Sequence, residues 1–372
     1  MRDNNGSRGI LIAALIASAG LLIAGYQPPA ERRDLAHAGR RPRPGQRQQD
    51  AGQDPKTSRG RGHHADAPSE IPARGWWDIL RRTAQQASED RILTEAAGIT
   101  FFALLALFPA LSALVSLYGL FADPAQIREH LAALGGVIPG GGMEIIEEQV
   151  QRVASQGQAS LGFGLAAGLA VSLWSANAAT KAAFDTLNIV YEEKEQRSFL
   201  KRTAITLAFT VGAIIFALLA MGAVVVLPIA LGFLGLGETM ETLLHWLRWP
   251  LLLVAVAILF ACLFRYGPSR DHAKWRWVSW GGAFAAVAWL LGSAAFSFYV
   301  ANFGSYNETY GSLGAVIGFM TWIWISSAVV LTGAELDAEM ERQTSHDTTE
   351  GPHEPMGTRG AAMADTVASG KE

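Results

Sequence analysis

Cysteine is almost absent from this chain of 372 residues, which contains only Cys262. A single thiol cannot form an intramolecular disulfide, so the sequence excludes a disulfide-stapled scaffold and a multi-cysteine metal or redox centre. Because Cys262 lies within an apolar run, we predict a buried and chemically inert thiol.

Charge is also scarce. Asp, Glu, Lys and Arg make up 17% of the chain, against about 25% in an ordinary soluble domain, and half of the residues are hydrophobic. The formal net charge of -3 is too small to indicate a nucleic-acid partner. The missing charge leaves apolar blocks, and a helix needs about 20 such residues to cross a bilayer. The composition therefore predicts an all-α, polytopic membrane protein.

The motifs of common enzyme classes are missing as well. The sequence contains no HExxH, no paired CxxC, no GxSxG and no Walker lysine, and the histidines of the apolar region are scattered among different loops. The glycines of residues 135–142 do not form a phosphate-binding loop, because Met143 and Glu144 follow where a lysine and a Ser or Thr are required. We therefore expect no catalytic residues, no cofactor and no metal.

The apolar runs divide the chain into four regions. Residues 1–26 hold a run whose length lies between a signal-peptide core and a spanning helix, and both a membrane anchor and a signal-like segment fit it. Residues 27–75, rich in Arg, Pro and Gly, are predicted to be a disordered linker. Residues 76–341 form the predicted membrane domain, and residues 342–372 a disordered cytoplasmic tail.

The arginines of the linker, in residues 40–47, are compatible with a binding site for anionic lipid or RNA. No aromatic residue is interleaved with them, as a base-stacking surface would require, so a solvated tether fits better. We expect membrane lipids as partners and no nucleic acid.

Six apolar segments predict six core transmembrane helices, in addition to the N-terminal anchor if it is one. The segments cover approximately residues 96–122, 161–183, 204–234, 249–264, 278–301 and 313–334. An amphipathic helix over residues 76–91 precedes them and places Trp76, Trp77, Ile79 and Leu80 at the membrane surface.

Lys and Arg mark the cytoplasmic loops of a membrane protein. They concentrate in two loops, after the second and fourth segments, whereas residues 303–311 contain neither. The basic residues of the two loops are Lys194, Arg197, Lys201, Arg202, Arg265, Arg270, Lys274 and Arg276. This distribution predicts that both ends of the six-helix core face the cytoplasm.

A polar stripe accompanies the second apolar segment. Asn177, Lys181, Asp185 and Asn188 follow one another at steps of four, four and three, which places them on one helical face. This spacing allows Lys181 to pair with Asp185. Such groups near hydrocarbon normally face a bundle interior or a watery cavity. The alternative is that the helix leaves the membrane here and Lys181 extends towards the headgroups.

Two further polar groups lie at the ends of predicted helices. Asn302, Tyr306, Asn307 and Tyr310 form the turn of a membrane hairpin, which is either an aromatic belt or a polar mouth that opens outward. Their position and that of the stripe, towards opposite membrane faces, would mark a path.

Arg265 and Glu335 end the fourth and sixth segments on the same predicted side. A buried carboxylate needs a partner, so we predict an ion pair between them, serving as a structural clamp or as part of a proton relay.

Several motifs, in order along the chain, resemble the YihY/BrkB family of bacterial inner-membrane proteins over residues 76–341. They are ITFFALLALFPALSALVSLYGLF, WSANAATKAAFDTLNIVYEEKEQRSFLKR, FRYGPSR and FYVANFGSYNETYGSLGAVIGFMTWIWISSAVVLTGAEL. The resemblance implies six helices in the cytoplasmic membrane and, in some members, a link to envelope integrity or serum resistance. It carries no catalytic residues across, and the Arg-rich N-terminal extension departs from the simplest members.

The resemblance also frames the expected function. A role in moving lipids or small solutes between leaflets is suggested for the family, and we expect envelope lipid or small-solute transport, or a part in envelope integrity. The alternatives are a membrane-bound ribonuclease, an old family label that the missing enzyme motifs do not support, and a non-transporting envelope scaffold.

Overall fold

The computed structural model describes residues 61–121, 158–221, 238–303 and 312–368. All of these residues belong to one structural unit, Ser58–Glu372. Within them the regular structure is helical, apart from one isolated bridge between Ala273 and Thr349. The predicted all-α class is confirmed. The N-terminal segment of residues 1–26 lies outside the described residues.

Seven α-helices follow one another in the described parts of the chain. They are α1 (Ala73–Glu89), α2 (Ile92–Phe121), α3 (Gln158–Val190), α4 (Phe199–Met221), α5 (Glu238–Tyr266), α6 (Trp275–Phe303) and α7 (Ser312–Glu341). Helix α1 corresponds to the predicted amphipathic helix, and within the described residues each of the six predicted spans overlaps one of the later helices.

Four stretches of the described residues are long and apolar enough to cross a membrane. They are Phe199–Ala220, Trp246–Tyr266, Trp275–Val300 and Val316–Glu341. The apolar stretch described in α2, Ile92–Leu107, is shorter. The number of six membrane crossings therefore stays a prediction.

The large apolar side chains of these helices point outward. Leu218 of α4 is 59% exposed, Leu251 of α5 59% and Leu291 of α6 65%. A water-soluble protein rarely exposes such extended apolar surface, whereas hydrocarbon chains solvate it well. This surface is that of a multi-pass membrane protein.

Small residues allow α7 to pack closely against α6. A Cβ atom added to Gly333 would lie 2.6 Å from the Cβ of Ala285, and one added to Gly281 would lie 2.7 Å from the Cβ of Asp337. Helices in lipid associate through such close backbone contact. Helix α7 also contacts α1, α2 and α3, so its last turns lie among several elements.

The structure orders part of the region predicted to be a disordered tail. Residues 342–368 are described, and the guanidinium of Arg359 organises them by donating to the backbone carbonyls of Ser345, His346, Glu354 and Ala364. The prediction of disorder was based on polar composition. Composition does not show whether a segment is ordered by hydrogen bonds to its own backbone.

The end of the predicted linker is ordered by the same tail. Gln343 donates to the carbonyl of Arg61 at 2.7 Å, and Thr344 donates to that of Ala65 at 2.7 Å. Ile71 is buried at 5% exposure. Residues 61–75 thus belong with the folded unit, because partners distant in sequence satisfy their backbone groups.

Candidate functional site

The polar stripe lies on α3, as its spacing predicts. Asn177 is 8% exposed, and its Oδ1 has no hydrogen-bond partner in the described residues. One turn further on, the Thr180 hydroxyl lies 2.7 Å from the Thr210 hydroxyl of α4. The stripe therefore begins at a polar contact between two apolar helices.

The centre of the stripe differs from the predicted Lys181–Asp185 pair. Asp185 instead accepts two hydrogen bonds of 2.7 Å from Nη2 of Arg202, at the start of α4. The Lys181 Nζ lies 5.4 Å from the centre of the Phe199 ring, a cation–π distance. A guanidinium suits a carboxylate better than an ammonium because several of its donors lie in one plane.

The end of the stripe joins three segments. Asn188 is 5% exposed; its Oδ1 accepts from the Ser269 amide at 2.7 Å, and its Nδ2 donates to Glu195 at 3.2 Å. Arg197 binds the same Glu195 carboxylate and donates to the Gly267 carbonyl at 2.8 Å. Asn188 thereby ties α3 to the loop that follows α5.

These contacts fix the ionisation of Glu195. Burial alone raises the pKa of its carboxyl, but the hydrogen bonds from Arg197 and Asn188 outweigh burial and bring the pKa down to about 2. The Glu195 carboxylate is therefore charged at neutral pH and holds Arg197 in place.

The predicted ion pair between Arg265 and Glu335 is wrong. Arg265 Nη2 lies 2.5 Å from the Glu350 carboxylate, and its Nη1 donates to the Ala273 carbonyl. Its guanidinium also lies 4.7 Å from the centre of the Trp275 ring. Glu350 belongs to the tail that composition predicted to be disordered, so sequence reasoning did not consider it as a partner.

The predicted mouth at the α6–α7 hairpin lies largely beyond the described ranges. Asn302 is in the last turn of α6, whereas Tyr306, Asn307 and Tyr310 lie outside the described residues. The polar mouth stays a prediction.

A second polar group, which we call the acidic row, occupies the end of α7. It consists of Glu335, Asp337, Glu339 and Glu341, and each of the four is exposed by 1% or less. Residues four apart share a helical face, so Glu335 and Glu339 point one way and Asp337 and Glu341 the other. Each face has one carboxyl near the helix end and one a turn further in.

The two carboxyls nearest the helix end are paired with arginines. Glu339 accepts from Nε of Arg82, on α1, at 2.5 Å. Glu341 accepts two hydrogen bonds from Arg270, in the α5–α6 loop, at 2.7 and 2.8 Å. Buried charges persist when they are paired in this way.

Asp337, one turn further in, has a phenol as its partner. The Tyr191 hydroxyl donates to its Oδ2 at 2.9 Å, and Arg270 lies over the Tyr191 ring at 4.1 Å from the centre. Burial, together with the nearby Asp337 carboxylate, raises the pKa of Tyr191 well above its ordinary value. The Tyr191 phenol therefore stays protonated and donates this hydrogen bond.

Glu335 is the other inner carboxyl. It is 1% exposed, and no N–H or O–H group of the described residues donates to its Oε1. It forms a side-chain hydrogen bond with Asp90, in the turn between α1 and α2. Glu335 and Asp90 are far apart in the sequence but adjacent in the fold.

Sequence reasoning considered Glu335 as the partner of Arg265 and did not identify the acidic row. A signal was present, since acidic and apolar residues alternate in AELDAEME, residues 334–341. In a helix this alternation distributes the acids around the axis, so packing on several sides buries all of them. Among the described residues, no group of three or more His, Cys, Asp or Glu is arranged to hold a metal.

An open apolar groove of about 340 Å³ lies between α2, α6 and α7. Within its lining, the Trp324 indole donates to the Leu93 carbonyl at 2.8 Å. The lining residues are Leu93, Phe284, Ala288, Trp324, Ile325, Ala328, Val329 and Thr332.

Comparison with known proteins adds a family to this geometry. The family model described as "Virulence factor BrkB" matches residues 83–357. The chain is 28% identical over 258 residues to the putative ribonuclease-like protein YfkH of Bacillus subtilis, covering 67% of this chain and 90% of that protein. No solved structure matches the chain.

Two relatives carry only a membrane-protein name. The chain is 24% identical to a UPF0761 membrane protein of Methylibium petroleiphilum, over 73% of this chain and 64% of that protein. It is 23% identical to a UPF0761 membrane protein of Idiomarina loihiensis, over 71% of this chain and 90% of that protein. This chain thus spans under two thirds of the Methylibium protein.

Proposed function

This chain belongs to the virulence factor BrkB family of membrane proteins, and on that premise we propose that it moves a lipid or small solute across the bacterial inner membrane. The unpartnered Oδ1 of Asn177 carries the proposal. Leaving a buried polar group without a hydrogen bond costs about 1–3 kcal/mol. Polar groups retained at such cost within membrane helices commonly serve a substrate or ion pathway.

The surroundings of Asn177 support a pathway along α3 and α4. The paired hydroxyls of Thr180 and Thr210 lie one turn further along α3, and Asp185 and Arg202 follow towards the helix ends. A substrate that passes between these helices would find hydrogen-bonding groups at successive depths. A polar headgroup and a small hydrophilic solute both fit such a ladder of amide, hydroxyl and charged groups.

The apolar groove beside α7 favours a lipid over a solute. The polar side-chain groups of its lining, the Thr332 hydroxyl and the Trp324 indole N–H, both donate to backbone carbonyls, so an acyl chain suits it better than a hydrated solute. A lipid could hold its chains in hydrocarbon or in the groove while its headgroup follows the polar groups.

The proposed orientation follows from loop charge. The loop between α3 and α4 carries Lys194 and Arg197, and the loop between α5 and α6 carries Arg270 and Lys274. Retention of Lys and Arg in the cytoplasm places these loops inside, so the end of α7 with its acidic row is also cytoplasmic.

A membrane-bound ribonuclease is the second candidate, and the name of the Bacillus subtilis relative favours it. The name describes that relative and not this chain. A scaffold that transports nothing is the third candidate, and one experiment distinguishes all three.

The experiment uses the full chain reconstituted in lipid vesicles. We expect it to accelerate movement of a fluorescent phospholipid between leaflets, measured by quenching from outside. Asn177→Leu should slow this movement about tenfold, which corresponds to ~1.4 kcal/mol of lost interaction. The control Leu218→Ala, at a site 59% exposed on α4, should keep the rate.

Two results would contradict the proposal. If folded protein moves neither the labelled lipid nor entrapped small solutes, the non-transporting scaffold is the remaining candidate. A nuclease activity that cleaves a fluorescent RNA and that copurifies with the protein through every step would favour the ribonuclease.

A further inference from the structure

We propose that Asp90 and Glu335 form a proton-binding site, in which two carboxyl groups share one proton, and that its occupancy controls transport. The proton site stands on the geometry of these two residues. Its coupling to transport rests on the function proposed above.

The contact between the two acids requires a proton. Neither of two ionised carboxylates can donate a hydrogen bond, so the bond between Asp90 and Glu335 exists only when one of them is protonated. Two carboxylates held together also repel each other when both are charged. Because Glu335 is 1% exposed, bulk water screens this repulsion poorly.

A second observation marks Glu335 as a place for a ligand. Its buried Oε1 receives no N–H or O–H donor from the described residues. The other three members of the acidic row each accept at least one such hydrogen bond. A proton supplies Glu335 with what its neighbours obtain from arginines and a phenol.

Two arginines at this end of α7 are bound by other members of the acidic row. Arg82 binds Glu339, and Arg270 binds Glu341. The charged groups that act most strongly on Glu335 are Asp90, Glu339 and Glu192, all acidic. The titratable and charged groups from the elements packed here include Arg82, Asp90, Tyr191, Glu192, Arg270, Asp337, Glu339, Glu341 and Arg342.

The site lies at one end of the apolar groove. Thr332, which lines the groove, is three residues before Glu335 on α7, and Leu93, also in the lining, is three residues after Asp90. Loss of the proton to water would leave two carboxylates and break the hydrogen bond that joins α7 to the α1–α2 turn. The groove would then widen at that end.

Infrared spectroscopy of the full chain in lipid vesicles tests the proton site. We expect a carbonyl band of a protonated carboxyl that persists at pH values where exposed carboxyls are ionised. Glu335→Gln should abolish this band, and Asp90→Asn should shift or abolish it by changing the hydrogen-bond partner. The control Glu89→Gln, on the exposed side of α1, should leave the band unchanged.

The proton site is wrong if the wild-type protein lacks such a band, or if the band of Glu335→Gln is as strong as that of the wild type. Absence of the band from the wild-type protein therefore refutes the site even where a variant does not fold, and circular dichroism checks the fold of each variant. Gln preserves the shape of a protonated Glu, so we expect Glu335→Gln to fold.

The same vesicles test coupling. We expect an imposed proton gradient to accelerate lipid movement in the wild type and in Glu89→Gln, and to have no effect in Glu335→Gln. Movement that is identical with and without the gradient would overturn the coupling and leave the transport function intact. If the infrared band is present but the protein moves no lipid at all, the transport function is overturned and the proton site still stands.

Discussion

At the scale of single residues, Glu195 is a polar side chain outside the membrane-spanning stretches that connects several segments. It receives hydrogen bonds from Asn188 and from Arg197, whose other donors reach the end of α5. One carboxylate therefore holds together α3, the loop after it and the start of the α5–α6 loop.

This connection predicts a pH dependence of stability. The pKa of Glu195 falls from 4.5 to about 2 on folding, because hydrogen bonds from Arg197 and Asn188 outweigh the opposing effect of burial. A lowered pKa means that the contribution is complete above pH 4.5 and is lost as the pH falls to about 2. Glu195→Gln should flatten the fall of the unfolding temperature in that window, measured by calorimetry in detergent. An unchanged slope would contradict this assignment.

Residue positions were easier to predict than residue partners. Helical periodicity placed Asn177, Lys181, Asp185 and Asn188 on one helix, and the structure agrees. Their partners come from other segments, where local spacing carries no information. Arg265 is the clearest case, since Glu350 reaches it from a tail whose composition indicated disorder.

At the scale of elements, α7 depends on glycine where it meets α6. A Cβ on Gly333 would lie 2.6 Å from the Ala285 Cβ, whereas a Cβ on Gly318 of the same helix would meet no atom within 4 Å. We expect Gly333→Ala to destabilise the protein by about 1–3 kcal/mol through overpacking. Gly318→Ala should be neutral or stabilise it by up to about 1 kcal/mol through helix propensity.

Thermal unfolding of the two variants in the same detergent checks this contrast. Equal unfolding temperatures for Gly333→Ala and Gly318→Ala would show that the α6–α7 contact is looser than the structure has it.

Helix α1 is held to α7 by the buried pair of Arg82 and Glu339. Arg82→Met would leave Glu339 buried beside Arg342 alone, which approaches it at 3.4 Å. Removing one partner of a buried pair costs about 3–5 kcal/mol, and we expect the lower end because Arg342 remains. The double variant Arg82→Met, Glu339→Met should recover most of the loss. Additive losses in chemical denaturation would mean that the pair is not coupled.

The sequence predicted the helices well and the surface of α1 only in part. Apolar length located the helices because hydrocarbon leaves the backbone no other way to satisfy its hydrogen bonds. Trp77 is 71% exposed and Leu80 46%, consistent with a helix at the membrane surface. Ile79, however, is fully buried in the folded unit, and amphipathicity alone could not distinguish burial in lipid from burial in protein.

At the scale of the whole molecule, the proposed topology places the ordered tail in the cytoplasm. His353 is 76% exposed there, and Ser305 lies in the predicted outer turn. In a Cys262→Ala background, His353→Cys should react with a membrane-impermeant maleimide only after the cytoplasmic face is opened. Ser305→Cys should react in intact cells. The reverse pattern would invert the topology derived from the loop charges.

The proposed transport function requires the polar face of α3 to contact protein, whereas the apolar surfaces of the bundle contact lipid. The structure places Asn177 at 8% exposure and Leu218 at 59%. The two residues therefore provide a direct contrast between the interior of the bundle and its lipid-facing surface.

Collision of spin labels with lipid-soluble oxygen measures this contrast in reconstituted protein that carries Cys262→Ala. We predict that a label at Asn177→Cys collides with oxygen far less often than one at Leu218→Cys. Equal collision rates at the two positions would show that Asn177 faces the acyl chains and would contradict a polar pathway along α3.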